Sequence, residues 1–369
     1  MTKKIRIIGI LLLFLIWAAL TAFAWFAPPK ETSLSERRPL DQFPKLTVDT
    51  LLSGSFTEKF EGFATDQFPL RDSFRSLKAI THRYALLQPD NNDIYLADGY
   101  LAKQEYPLNE SEVSAAVKRL QQVYNTYLKE TGSKLYVSVI PDKSYYLGEE
   151  SGHLTMDYTA LFNKMKDAFP QATYIDITDR LSAENYYYTD THWRQETLLP
   201  VAETLCEALS MPAPKELTAE TVTDAFYGVY YGQAALPLQP EDLTVLKGVT
   251  DSYTVGIHNG QGFAPVSYSG VYDLEKLGSK EPYDVFLSGP QSLLQITNPN
   301  ATTDRELIIF RDSFGSSIAP LLVSQYKTVT LVDIRYLETA KLKFFMDFHG
   351  QDVLFLYSAL VLNSGSTLK

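Results

Sequence analysis

Cysteine is nearly absent: the 369 residues contain one, Cys206. A single thiol closes no internal disulfide, and no Cys/His cluster has the spacing of zinc ligands. Cys206 lies in LLPVAETLCEALS, where Leu198, Val201, Ala202, Leu205 and Leu209 recur at helical spacing, so it reads as a small apolar core residue. A basic excess is also lacking. The net charge is −11 with no basic stripe, and such a chain repels phosphates instead of releasing their counterions, which argues against nucleic-acid binding. Internal repeats, low-complexity segments and a second long apolar run are missing as well. What is present is 45% hydrophobic and 13% aromatic residues, with 24 tyrosines, the composition of a folded protein. The length suits one large domain or two ordinary ones.

The N-terminus carries the one long apolar run. Lys3, Lys4 and Arg6 precede 21 uncharged residues, Ile7 to Ala27. At about 1.5 Å per helical residue these cross a hydrocarbon core of about 30 Å. The positive flank places residues 1–6 in the cytoplasm and the body of the chain outside it. The alternative is a cleaved signal peptide, because Ala22-Phe23-Ala24 resembles a cleavage site; the run is longer than the usual signal core, which favours a retained anchor. Scarce cysteine in an exported chain suggests a bacterium whose secreted proteins seldom use disulfides.

Residues 28–95 read as an extended stretch leading into amphipathic helices, with Phe56, Phe60 and Phe63, then Phe74, Leu77 and Ile80, at helical spacing. NNDIYLADGYLA predicts a hairpin turning at Asp98-Gly99. From 109 onward the pattern is βα alternation. Asn109 and Glu112 resemble a capping box, and Gly132 is a natural stop. Strands are predicted at KLYVSVIP, TYIDIT (173–178), ELIIF (306–310), TVTLVDI (328–334) and DVLFLYS (352–358), with a helix over 158–169. This pattern implies an α/β domain over 96–369, a mainly parallel sheet with helices on both faces. Short strands with Gly and Pro turns over about 213–300 read as a mostly β insertion.

Two stretches carry chemistry. YYYTDTHWRQE places Asp190 two residues before His192, and RELIIFRDSFGSSIAP is a strand, a polar turn with Ser313 and a helical pattern. A serine hydroxyl is a weak nucleophile. It needs a base within hydrogen-bond reach, and the base needs an acid to fix its tautomer. Ser313, His192 and Asp190 supply those three roles, and both motifs follow strand edges, where α/β proteins gather ligands. The bland alternatives are a serine helix cap and a surface histidine. The turn amides and the following helix N-terminus are candidates for binding an oxyanion.

TDTHW with a downstream FRDSFG resembles the DHHW protein family, and is similar to the SGNH-hydrolase-like domain of periplasmic alginate O-acetylation proteins. SERRPL (35–40), TDQFPLRD (65–72), VIPDKS (139–144) and YDVFLSG (283–289) fit the same pattern. The resemblance implies an SGNH-like, flavodoxin-type sheet with the Asp-x-His pair before the serine, Ser313 as nucleophile, His192 as base and Asp190 as orienting acid. It implies O-acetyl transfer to a cell-surface or extracellular polysaccharide, with a multi-pass membrane O-acyltransferase bringing the acetyl group across. A polysaccharide acetylesterase and a non-catalytic polysaccharide-binding or assembly protein are the alternatives. Neither a metal nor a bound cofactor is indicated. Two departures stand out. The chain has Asp-Thr-His-Trp where the family name implies Asp-His-His-Trp, and SGPQ (288–291) stands where a Gly-Asn pair would help build an oxyanion hole.

Around the three residues, Arg311 is expected to bind an anionic or carbonyl oxygen and Asp312 to hydrogen-bond the turn backbone. Lys143 is expected to point into the same crevice. Trp193 and Tyr186–Tyr188, Tyr188 above all, are candidates for a platform that stacks on sugar CH faces. For the tyrosines ordinary packing is the competing reading.

Overall fold

The computed structural model describes residues 3–369 and divides into two compact units: residues 3–91 with 231–237, and residues 92–230 with 238–369. Seven residues from inside the expected β insertion thus belong to the first unit.

The first unit contains the apolar helix Lys3–Phe26, long enough to cross a membrane, and the helices Ser55–Asp66 and Arg71–Ile80. Their charged residues hold the preceding loop. Arg38 reaches Asp66 at 2.5 and 2.7 Å, and Arg71 reaches Glu36 at 2.5 Å. SERRPL and TDQFPLRD, separate in sequence, are thus two halves of one ion-pair cluster. Gly232 passes so close to Ser35 that an added Cβ would lie 1.6 Å from its carbonyl oxygen, so only glycine fits.

The second unit is built on an eight-stranded sheet: β1 (Leu135–Ile140), β2 (Thr173–Tyr174), β3 (Thr254–His258), β4 (Phe263–Pro265), β5 (Leu293–Thr297), β6 (Glu306–Arg311), β7 (Thr328–Val332) and β8 (Asp352–Ser358). Their spatial order is β4-β3-β5-β7-β6-β8-β1-β2. The strands from β7 to β2 are parallel and the other three antiparallel. Counted cyclically from β6, the parallel strands run 2-1-3-4-5, the flavodoxin-type order. The chain therefore enters that arrangement at its fourth strand, and β6 and β8 flank the switch point where the winding reverses.

Alternation explains the two covered faces. Leu307, Ile309, Leu354 and Leu356 join one core cluster, while Ile308, Phe310, Val353 and Phe355 join the other. Successive strand residues point to opposite faces, so a strand buried on both sides must be apolar throughout. The helices Glu110–Val123 and Tyr158–Ala168 supply much of the second cluster through Val113, Leu120, Leu161 and Met165. Asn109 caps the first by accepting from the Glu112 amide, but the reciprocal half of the box is missing: Glu112 accepts instead from the Ser366 amide.

The insertion is partly continuous with the main sheet. β3, β4 and β5 extend it at the β7 edge, while Thr218–Phe226 and Glu241–Lys247 form a separate antiparallel pair. TYIDIT is strand only over Thr173–Tyr174. The hairpin Ile94–Ala97/Tyr100–Lys103 turns through Asp98 and Gly99, both with positive φ, which suits an Asp-Gly pair. Cys206 is buried in the first cluster, and burial pushes its thiol up to about 12.

Candidate active site

Ser313 follows β6 at the switch point. Asp312 before it is fully buried, and its carboxylate accepts from the Phe314 amide at 3.0 Å and the Ser358 amide at 2.8 Å. One side chain thereby ties the serine turn to the end of β8, across the crevice where sheets of this kind bind ligands.

The histidine comes from a tight loop. Tyr186 and Trp193 form a β-bridge, and the Tyr187 amide donates to the His192 carbonyl at 3.1 Å, leaving Asp190 near the tip. Three supports hold this loop. Glu241 accepts from the Tyr188 and Thr189 amides at 2.7 and 2.8 Å. Lys143, 1% exposed, donates from Nζ to the Tyr187 carbonyl at 2.8 Å. The Val229 amide donates to Asp190 Oδ2 at 2.8 Å. Gly228 is pressed so close that a Cβ there would lie 2.3 Å from Asp190 Cα, so glycine is required by space.

These supports bring the three residues into line. His192 Nδ1 is 2.5 Å from Asp190 Oδ1, and His192 Nε2 is 2.7 Å from Ser313 Oγ. With Nδ1–H donating to the buried Asp190 carboxylate, Nε2 is left to accept from the serine hydroxyl. The imidazole is stacked on Tyr283, ring centroids 3.9 Å apart and 7° from parallel, and Phe314 packs at 4.9 Å. Tyr283 Oη donates to Ser317 Oγ at 2.8 Å, and Trp193 Nε1 donates to the same oxygen at 2.8 Å. The ring that carries the base is therefore fixed from below and from the side.

Several expectations need correction. Arg311 is not presented to a ligand: it is fully buried, 3.8 Å from Asp333 and bonded to the Asp312 carbonyl, because its place on β6 turns it into the sheet's covered face. Burial lowers its pKa, with Asp333 acting in the opposite direction. Lys143 lies behind the Asp190 loop and does not point into the crevice; burial lowers it to about 7, against the pull of Asp190, Glu241 and Asp142. Trp193, Tyr186 and Tyr187 are 0% exposed, so none offers a face to a sugar. Tyr188 alone is exposed, with its ring 4.5 Å from that of Tyr100. Asp312 bonds the turn backbone as expected. The helix after Ser313 covers only Gly315–Ile318 before a 3₁₀ turn, too short for a strong dipole.

The turn amides are mostly committed. Those of Phe314, Gly315 and Ser316 bond to Asp312 Oδ1, Asp312 O and Ser313 O, while the Ser313 amide has no acceptor among the described residues. In SGPQ the Gly289 amide bonds to Phe286 O, Pro290 has no N–H, and the Gln291 side chain donates to Ser288 O. The Ser288 hydroxyl donates to Asp273 at 2.7 Å, so these donors are already engaged.

Glu241, Gly228, Tyr283 and Ser317 were not read as site residues from the sequence. Tyr283 sits in the YDVFLSG segment that fits the family pattern. Glu241 and Gly228 lie in turn-rich stretches where no spacing marks them.

Over residues 155–332 the chain matches the model of the DHHW protein family. SERRPL, TDQFPLRD and VIPDKS lie outside that match. Among solved structures, a DHHW family protein from Eubacterium siraeum is similar at 20% identity, TM-score 0.61, over 75% of this chain and 94% of that one. PatB1 of Bacillus cereus, solved with a sulfonyl adduct, is similar at 18% identity, TM-score 0.55, over 75% of this chain and 96% of its own. These likenesses show the fold. No curated protein matches the chain.

Proposed function

We propose that the chain is a membrane-anchored acyltransferase that moves an acetyl group to hydroxyls of a cell-surface or extracellular polysaccharide through an acyl-enzyme on Ser313. The observation that carries this is the unbroken relay from Ser313 Oγ through both nitrogens of His192 to Asp190, at 2.7 and 2.5 Å. His192 Nε2 takes the hydroxyl proton as Ser313 Oγ attacks the acyl carbonyl carbon, and Asp190 stabilises the imidazolium. The tetrahedral intermediate collapses, the bond to the leaving group breaks, and His192 returns its proton to that group. A sugar hydroxyl then gives its proton to His192, attacks the acyl-serine, and leaves as the ester while Ser313 regains its proton. The Ser313 amide is the donor best placed for the developing oxyanion.

Acetyl-coenzyme A is cytosolic, so an external enzyme needs the acyl group carried to it. The family resemblance supports a multi-pass membrane O-acyltransferase as donor, and the Lys3–Phe26 helix supports a tether on the outer side of the same membrane. Arg311, Lys143 and Trp193 serve as positioning residues, and Tyr188 is the exposed ring left to meet a sugar.

Intact-mass analysis after incubation with an activated acetyl ester tests the reading. The wild-type chain should gain one acetyl group and Ser313→Ala none. A chase with oligosaccharide should transfer the group faster than water removes it. Faster loss to water would make the protein an esterase, and no adduct with no turnover above the variant would remove the acyl-enzyme altogether.

A further inference from the structure

Two faces of the helix Arg71–Ile80 of the first unit are reversed for a protein surrounded by water. Arg71, Arg75 and Ala79, four apart, face the unit's interior. The Arg71 and Arg75 side chains are only 17% and 19% exposed, both paired with Glu36, and Arg75 also donates to the Gly232 carbonyl. Phe74 and Leu77, on the far side, are 45% and 58% exposed, and Leu70 at the N-cap is 68% exposed; the exposed Asp72, Ser73 and Lys78 lie between the two faces. A water-facing helix does the reverse, hiding its apolar stripe and showing its charges. A helix set against lipid turns charges inward, where they pair, and apolar groups outward.

The same face continues into the apolar N-terminal helix. The Phe68 ring lies 6.2 Å from Trp17 and 5.5 Å from Phe74. Pro69 and Leu70 share an apolar recess with Ile16, Leu20 and Phe23. Those three precede Phe26, the helix end, by three to ten residues, which is about 5–15 Å along the axis at 1.5 Å per residue. Amphipathic helices lying in a membrane interface bury their apolar face about 5–10 Å deep.

We propose that the Leu70–Phe74–Leu77 face lies in the outer leaflet beside the membrane-spanning helix, covered by phospholipid acyl chains, so that the first unit is a wedge in the bilayer rather than a flexible stalk. This rests on reading Lys3–Phe26 as a retained span, and it is independent of the chemistry at Ser313.

The test uses the full chain reconstituted in phosphatidylcholine/phosphatidylglycerol vesicles that carry a lipid with a photoactivatable diazirine on its acyl chain. After irradiation and digestion, mass spectrometry should find lipid adducts on peptides covering 68–80 as well as on 3–26. A variant with Leu70→Asp, Phe74→Asp and Leu77→Asp should lose labelling on 68–80 by about tenfold, with 3–26 still labelled. Adducts confined to 3–26 in the wild type would overturn the proposal and leave the span intact, the result expected if a protein partner covers this face. Absence of adducts on both peptides would overturn the span reading and the proposal with it. Ester turnover, measured in the same vesicles, reports on Ser313 separately.

Discussion

The two units differ in how they place charge and apolar side chains. In the second, apolar side chains fill both faces of a sheet, and Leu307 to Phe310 are all buried. In the first, Leu40, Ala79 and Leu236 are buried beside the charged Asp66, with Arg71 and Arg75 mostly buried against Glu36, while Leu70, Phe74 and Leu77 lie outside. Water as the only solvent accounts for the pattern of the second unit, whereas the exposed Leu70–Phe74–Leu77 face of the first unit marks an interaction site. The proposed acyl-chain contact accounts for the exposed apolar side chains of the first unit.

The largest expected effect separates the units by activity. Ser313→Ala should lower ester turnover by at least about 10³-fold, the scale seen when one member of such a relay is removed, with no change in melting temperature. The triple Leu70/Phe74/Leu77 variant should leave turnover unchanged. Equal losses in both would break the division.

Next comes the same polarity change placed once in each unit. Ile309→Asp buries a charge without a partner in the sheet core and should cost more than about 4 kcal/mol, read as loss of cooperative unfolding. Leu77→Asp meets detergent rather than packed protein and should cost clearly less than Ile309→Asp in urea titrations of detergent-solubilised protein. A large loss at Leu77 would mean that its face packs on protein.

Gly228→Ala probes how tightly the site is set. Its Cβ would lie 2.3 Å from Asp190 Cα, so the acid must move. A displacement of about 1 Å costs on the order of 100-fold in kcat. An unchanged kcat would show that the Asp190 loop tolerates motion.

The smallest effect concerns Lys143. Burial holds it at about 7 in the folded chain, against an ordinary lysine value of about 10.4 when unfolded. Between those values the unfolded chain keeps a proton that the folded chain has released. Stability from this group therefore rises with pH across that window, by up to about 1.4 kcal/mol per unit, and is flat below it. Lys143→Met should remove that slope. Urea midpoints at about pH 7.5 and pH 9 would decide, and parallel shifts in both proteins would contradict the buried-lysine account.

Much of the second unit was legible because its strands are apolar runs bounded by helical patterns. β1, β6 and β8 fall where KLYVSVIP, ELIIF and DVLFLYS predict them. The Asp190-x-His192 spacing and the strand–turn position of Ser313 were legible as well, since each is a local pattern. The supporting residues were not. Arg311, Lys143 and Trp193 carry charged, polar or aromatic groups beside the motifs, and by type each suited a ligand. The fold instead turned Arg311 toward Asp333, Lys143 toward the Tyr187 carbonyl and Trp193 toward Ser317.

By itself the sequence determined the apolar N-terminal run, the βα alternation and the residue types able to form a relay, because periodicity and local spacing are properties of neighbours along the chain. The tertiary structure alone decided that the sheet is entered at its fourth strand, that Glu241 and Gly228 hold the Asp190 loop, and that Arg71 and Arg75 face inward. Those outcomes depend on contacts between residues far apart in the chain and on the solvent each face meets, and neither is written in any local stretch of residues.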